Sequence, residues 1–467
     1  HGLELDQRCV ELAAFALAFA AWTYPGSSGY RELPALHIAC SGQAIRINDD
    51  ELRRLANGND ELNHALADLK SKFQQAPILG SLIDPKRSIY HDELFSLDWK
   101  EVGPLLASVL RRGQDDDLQE AGIVAQGLAK AAGLLVGTYH LIATNPPFLG
   151  IGKQNLKLKS YLERTFGDAS YDLATAFMKR MITLLNQAGV YSTVTPQSWT
   201  FASNYQNFRQ TLLKTQNLNF YVRIGEKGFE SPAAAGAFVV LTIISNIHSS
   251  QNTFSGIDVS DLDTPDEKLH ALQNRQATKI KQRNQFLNQD KRILLTTTAV
   301  ELLLLEKAKS LQGIKSGDDG MFKRMFWENK GENREWMFCR STVDITRHYG
   351  GMEYVMRWKN NGEGLARLQG LQGWNKKGVA INLMRRLRSS IYIGEKFDSN
   401  VGIIIPHIED TLSSIWVFCE SKEFNTQVRN IDSRVNAMTG SLVKVPFDLK
   451  RWTKVAEEKY PNGLPLP

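Results

Sequence analysis

Apolar and polar positions fall into two regimes along the chain. Up to about residue 245, short apolar runs alternate with longer stretches of helical spacing. Residues 2–6 (GLELD) read as a short strand ending in carboxylates, and Arg8 to Trp22 as an apolar-rich helix. ALHIAC at 35–40 predicts a second strand, stopped by Ser41-Gly42. The polar stretch 50–73 is helical in pattern, and 98–135 predicts two amphipathic helices split by Asp115-Asp116-Asp117. YHLIAT at 139–144 predicts a strand ended by Asn145-Pro146-Pro147. A helix over Leu173–Asn186 follows, then strands at Val190–Val194, Phe220–Ile224 and Phe238–Ile244.

Near-continuous apolar strands separated by helices predict an α/β fold with a doubly wound parallel sheet covered on both faces. In such sheets the chemistry lies beyond the carboxyl ends of the strands. That rule singles out Glu4, Asp6, Ser41-Gly42, Asn145–Phe148 and Thr195–Trp199. Residues 246–292 turn polar and read as a linker with a helical excursion. Residues 293–467 hold six of the nine tryptophans among short strand-like runs and basic clusters, which predicts a mixed α+β second domain.

Charge sharpens this division. The net charge is +6, but residues 281–467 carry 30 Lys+Arg against 21 Asp+Glu (+9), leaving −3 for residues 1–280. A near-neutral first part and a basic second part suit a catalytic core joined to an anion-binding module. The longest apolar run, Leu12 to Trp22, is eleven residues; a membrane helix needs about 20. Four widely spaced cysteines form no metal or redox pair, and suit reduced thiols in a cytoplasmic protein. HGLELDQR opens on a strand with no lead-in, which predicts that a domain begins upstream of residue 1.

Asn145-Pro146-Pro147-Phe148 is the strongest chemical signal. The exocyclic amine of adenine is a poor nucleophile because its lone pair is delocalised into the ring. An Asn side-chain oxygen and the next carbonyl can accept its two N–H groups and draw the nitrogen toward tetrahedral geometry. The prolines stiffen that corner, and Phe148 can stack on a base swung out of a duplex. Glu4 and Asp6, at the tip of a strand, suit ribose hydroxyls. The glycine loop that would hold the rest of such a cofactor is not in this sequence.

Gly150-Ile151-Gly152-Lys153 lacks the spacing of a nucleotide-phosphate loop, which leaves Lys153 as a candidate DNA phosphate contact. Pro265-Asp266-Glu267-Lys268 and Glu420-Ser421-Lys422 carry fragments of nuclease motifs without the required partners. Basic and aromatic residues cluster at Lys323 and Arg324, and again at Arg357, Trp374, Lys376, Lys377, Arg385, Arg386 and Arg388. They are candidates for a DNA surface, against the alternative of a solvated rim over core tryptophans.

GLELDQRCVELAAFALA, LIATNPPF, LATAFMKRMITLLNQAGVYSTVTPQSWTF and VRIGEKGFESPAAAGAFVVLTI, in this order, resemble the N6-adenine-specific DNA methyltransferases. The chain is most similar to those of bacterial phage-defence systems of the DISARM and BREX kind, related to the methyltransferase part of fused restriction–modification enzymes. The resemblance is firm over 1–245 and looser after 293. It implies a class I, Rossmann-like methyltransferase domain at 1–245 and a target-recognition domain at 293–467. The methyl donor would be S-adenosylmethionine and the acceptor N6 of an adenine flipped out of double-stranded DNA, with no metal and no membrane. Other phage-defence proteins are implied as partners. Glu4, with Asp6 and Ser41, would hold the cofactor; Asn145, Pro146, Pro147 and Phe148 would form the catalytic corner. The sequence departs from the pattern twice: the first-strand glycine motif is missing, and Ser41-Gly42 stands where the family often has an acid. Two other readings stay open: a DNA-binding specificity subunit with a relic methyltransferase fold, and a methyltransferase of RNA or protein glutamine.

Overall fold

The computed structural model describes residues 1–46, 48–86, 104, 116–230, 236–295, 302–328, 335–343, 346–432 and 434–467. The expected features over 98–103 and 105–115 therefore lie outside the described residues. The fold is mixed α/β, and the chain divides into two compact units. The first comprises His1–Pro196, Thr211–Tyr221 and Leu241–Asn252; the second comprises Gln197–Gln210, Val222–Val240 and Thr253–Pro467.

In the first unit, β1 (Gly2–Glu4) and β2 (Ile38–Cys40) pair in parallel, with Gly2 opposite Ile38 and Glu4 opposite Cys40. Between them runs the helix Gln7–Thr23, entered through Asp6, whose carboxylate accepts the Arg8 N–H at 2.9 Å. None of that helix's residues is buried, although AAFALAFAA is apolar on every side. Helices Asp49–Ala56 and Asp60–Lys72 start at the caps Asn48 and Asn59 and bury Leu52, Leu55, Leu62, Leu66 and Leu69. The helix Asp116–Val136 contributes Ala125, Leu128, Ala132 and Leu135 to the core.

β3 (Tyr139–Thr144) pairs in parallel with β4 (Leu185–Pro196), Ile142 opposite Tyr191 and Thr144 opposite Thr193. β4 is longer than the expected Val190–Val194 because the turn before it, with Ala188 at φ +61°, stays within the ladder. β5 (Asn217–Gly225) and β6 (Val239–Ser245) extend this sheet in the order β3-β4-β6-β5, and β7 (Thr253–Asp258) and β8 (Thr278–Lys281) follow in the chain.

The second unit absorbs most of the expected linker. Residues 253–281 form β7, the helix Pro265–Asn274 and β8, with β7 and β8 antiparallel and Phe254 and Ile280 buried. Strands β9 (Ala308–Gln312), β13 (Gly378–Asn382), β14 (Ser389–Tyr392) and β16 (Val401–Pro406) form an antiparallel sheet ordered β14-β13-β16-β9. Its core includes Trp416, Phe418, Phe424 and Trp452 from the helices Leu412–Glu420, Lys422–Ile431 and Leu449–Lys459. A second sheet is ordered β10 (Lys323–Met325), β12 (Tyr354–Arg357), β11 (Trp336–Arg340) and β15 (Lys396–Phe397).

No helix among the described residues is long and apolar enough to cross a membrane, and no group of three metal-capable side chains occurs among them.

Candidate functional site

β3 ends at Thr144, and Asn145-Pro146-Pro147-Phe148 leaves the sheet as a corner. Two consecutive prolines fix their own φ and supply no N–H. The far side of the corner is tied down by backbone. Ile151 N–H donates to the Tyr171 carbonyl at 2.9 Å, and Leu173 N–H to the Leu149 carbonyl at 3.1 Å. Gln154 Nε2 donates to the carbonyls of Leu149 (3.0 Å) and Ser170 (3.3 Å). Asp172 caps the helix Leu173–Thr183, accepting the Ala174 N–H at 2.9 Å, and also accepts the Leu149 N–H. Burial raises the Asp172 carboxyl above its ordinary range, and the two N–H donors only partly offset that.

The corner faces a crevice of about 680 Å³. Gly2 to Leu5, Ser41, Leu141 to Pro147, Phe177 and Met181 are among the residues that line it. Glu4, Ser41, Asn145, Pro146 and Pro147 therefore share one hollow at the carboxyl ends of parallel strands. The expected residues Asp6 and Phe148 do not line it. Asp6 instead caps its helix and pairs with Arg8 at 3.0 Å, while Phe148 is half-buried. Trp199 is fully buried and its carbonyl accepts Arg209 Nη1 at 2.6 Å.

Ser41 is buried; its N–H donates to the Glu4 carbonyl at 2.8 Å, and its hydroxyl lies 3.1 Å from Ser81 Oγ. At Gly42 a Cβ would stand 2.1 Å from the Leu5 carbonyl oxygen, so only glycine lets the two strand ends approach. Gly80 and Ser81 also line the crevice. Sequence reasoning missed them because APILGSL has neither strand periodicity nor a chemical motif.

β1 and β3 are both terminal strands of their sheets, and both line this crevice. Leu141, in the middle of β3, is 70% exposed. Burying a leucine contributes about 1.5–3 kcal/mol, so this is apolar surface left uncovered.

The candidate DNA-contacting residues of the second unit separate by burial. Lys323 is internal: its ammonium sits 2.5 Å from Asp398 and 2.8 Å from Ser341 Oγ. Burial lowers its proton affinity, but Asp398 outweighs that and holds the ammonium above its ordinary value. Trp374 packs edge-on against Trp358 at 5.2 Å, with the Lys396 ammonium 4.4 Å from its ring. These two positions have structural work, which composition could not reveal. Arg357 is half-buried and held by Glu335 at 3.3 Å, whereas Arg324, Lys376, Lys377, Arg385 and Arg386 are exposed, Lys377 pairing with Glu409 at 2.8 Å. In the first unit Lys153 is exposed, one turn beyond the corner.

Among curated proteins, the chain is 23% identical over 397 residues to an adenine-specific methyltransferase PglX of Lacticaseibacillus casei (strain Zhang), covering 78% of this chain and 32% of that protein. It is 24% identical over 423 residues to an adenine-specific methyltransferase BrxX of Escherichia coli O9:H4 (strain HS), covering 84% of this chain and 34% of that protein. The chain thus spans about a third of the length of these relatives. Among solved structures, the Type IIL restriction-modification enzyme MmeI in complex with DNA matches at a TM-score of 0.47 and 14% identity, over 89% of this chain and 69% of that one. The resemblance read from the motifs holds: residues 1–229 match the family model of the Eco57I restriction-modification methylase, and the curated relatives are adenine-specific methyltransferases of the PglX and BrxX kind.

Proposed function

We propose that this chain is the catalytic and target-recognition part of a site-specific DNA adenine N6-methyltransferase serving phage defence, with a Rossmann-like methyltransferase fold in its first unit. One observation carries this reading: Glu4, Ser41 and the Asn145-Pro146-Pro147 corner line one crevice at the carboxyl ends of parallel strands. Its volume, about 680 Å³, falls within the roughly 300–1,000 Å³ usual for small-molecule sites. Glu4 is exposed, and the one hydrogen bond its carboxylate makes among the described residues is from the Leu5 N–H at 2.8 Å, so an oxygen remains for ribose hydroxyls. Ser41 sits beside it. S-adenosylmethionine supplies an electrophilic methyl whose leaving group is a neutral thioether.

Across the crevice, the Asn145 side-chain oxygen and the Pro146 carbonyl accept the two N–H groups of an adenine amine. That draws the nitrogen lone pair out of the ring and toward the methyl group. The hydrogen bonds strengthen as positive charge builds on nitrogen, so they act in the transition state more than in the ground state. The surplus proton then passes to water. Asn145→Ala with Phe148→Ala in the full protein tests this. Methylation of DNA should fall by about 10²-fold or more, with duplex affinity nearly intact. Full methylation by that variant removes the catalytic assignment.

A further inference from the structure

On one face of the sheet β10-β12-β11, arginines and aromatic rings lie around the buried Val355. Across it, Arg324 is opposite Val355, Val355 opposite Phe338, and Trp336 opposite Arg357. Directly opposed residues share a face, as do residues two apart on one strand, so Arg324, Phe338, Trp336 and Arg357 point the same way. The Arg324 guanidinium lies 4.8 Å from the Trp336 ring. Phe326 joins them, 6.4 Å from Phe338 and 5.1 Å from Trp327. Phe326, Trp327 and Phe338 are 47%, 61% and 52% exposed. Three large rings rarely stay in water together without something to cover them.

We infer that this face binds duplex DNA, with Phe326 and Trp327 pressed against bases at a locally opened step and Arg324 and Arg357 on flanking phosphates. The inference rests on the methyltransferase reading above and adds to it a surface and a mode of contact. Charge complementarity selects the occupant: Arg324, exposed beside the rings, and Arg357, on the same face, suit a polyanion and disfavour a second copy of the same surface. The rings explain why bases, and not phosphates alone, are met. An aromatic side chain has a π face that every base can stack on, and apolar wedges commonly hold a base step open.

The test is fluorescence anisotropy of a labelled mixed-sequence duplex with the whole chain, comparing wild type, Phe326→Ala/Trp327→Ala, Trp327→Ala alone and Arg324→Ala. The double variant should bind about tenfold more weakly. Arg324→Ala should lower the slope of log affinity against log salt by about one. Trp327→Ala alone, at an exposed ring, shows the same direction without threatening the fold. Unchanged duplex affinity in the double variant overturns the inference. So does wild-type self-association in sedimentation that the double variant loses while still binding DNA normally. A wild type that binds duplex but transfers no methyl group defeats the enzyme reading alone and leaves the face to be judged by its affinity data.

Discussion

Leu173 N–H donates to the Leu149 carbonyl at 3.1 Å, and Asp172, next to Leu173, receives the N–H of Leu149 in return. This reciprocal pair links the exit of the Asn145–Phe148 corner to the first turn of the helix Leu173–Thr183. The corner's shape therefore depends on a helix cap some two dozen residues later in the chain.

Asp172→Ala removes the cap and the clip together. It should cost about 1–2 kcal/mol and lower kcat more than it raises KM, because the loop no longer holds Asn145 in place. Asp172→Asn keeps an acceptor oxygen and should restore most of both. Burial raises the Asp172 carboxyl, so the folded state holds its proton more tightly than the unfolded chain does. Raising pH through the window between the ordinary carboxylate value and that raised one destabilises wild type but not Asp172→Asn. Urea midpoints of the two proteins across that window should diverge; parallel curves would show that Asp172 does not titrate with folding.

Glu4→Gln tests the other wall of the crevice. A hydrogen bond to a charged acceptor is worth about 1.5–3 kcal/mol, so affinity for S-adenosylmethionine should drop by roughly 10- to 100-fold. Isothermal titration with the full protein reads this directly. Asp6→Asn, by contrast, should leave the donor's affinity unchanged, since Asp6 faces Arg8 and not the crevice.

The parts of the molecule legible in the sequence are those where period and punctuation agree. YHLIAT followed by Asn-Pro-Pro could only be a strand that stops, and β3 ends at Thr144. The second unit was opaque for a physical reason. β13, β14 and β16 bury nearly every residue on both faces, so they lack the alternation that marks a strand. The polar stretch 246–292 read as a linker because β7 and β8 bury few apolar side chains, Phe254, Ile257 and Ile280 among them. Charge counts misled in the same way. Arg340, fully buried and paired with Glu395, and Asp290, paired with Lys444, add to a tally of surface charge without lying on the surface.

Lys323 and its neighbour Arg324 should separate cleanly for that reason. Lys323→Met strands Asp398, a carboxylate 7% exposed, and breaking a buried pair of this kind costs about 3–5 kcal/mol. Arg324→Ala, at the surface, should change stability by no more than about 0.5 kcal/mol. Asp398 holds the Lys323 ammonium above its ordinary value, so the pair's contribution is complete at neutral pH and is lost as pH rises above the usual lysine range. Denaturant titration of both variants at neutral and strongly alkaline pH checks the size and the sign. Equal stability of the two variants at neutral pH would mean that the buried pair contributes nothing.

Thiol chemistry offers a check on both units at once. Cys9 is exposed on the helix Gln7–Thr23, while Cys40, Cys339 and Cys419 are buried. Cys40 lies against the Leu5 carbonyl, with Sγ 3.2 Å from that oxygen at the crevice wall. Burial raises the Cys339 and Cys419 thiols well above their ordinary value, so almost no thiolate exists there to react. A disulfide reagent at mildly alkaline pH should therefore modify Cys9 rapidly and the other three only as fast as the fold opens. Mass spectrometry of tryptic peptides gives the order. If Cys9 proves as slow as Cys339, the apolar helix that carries it is covered in the protein.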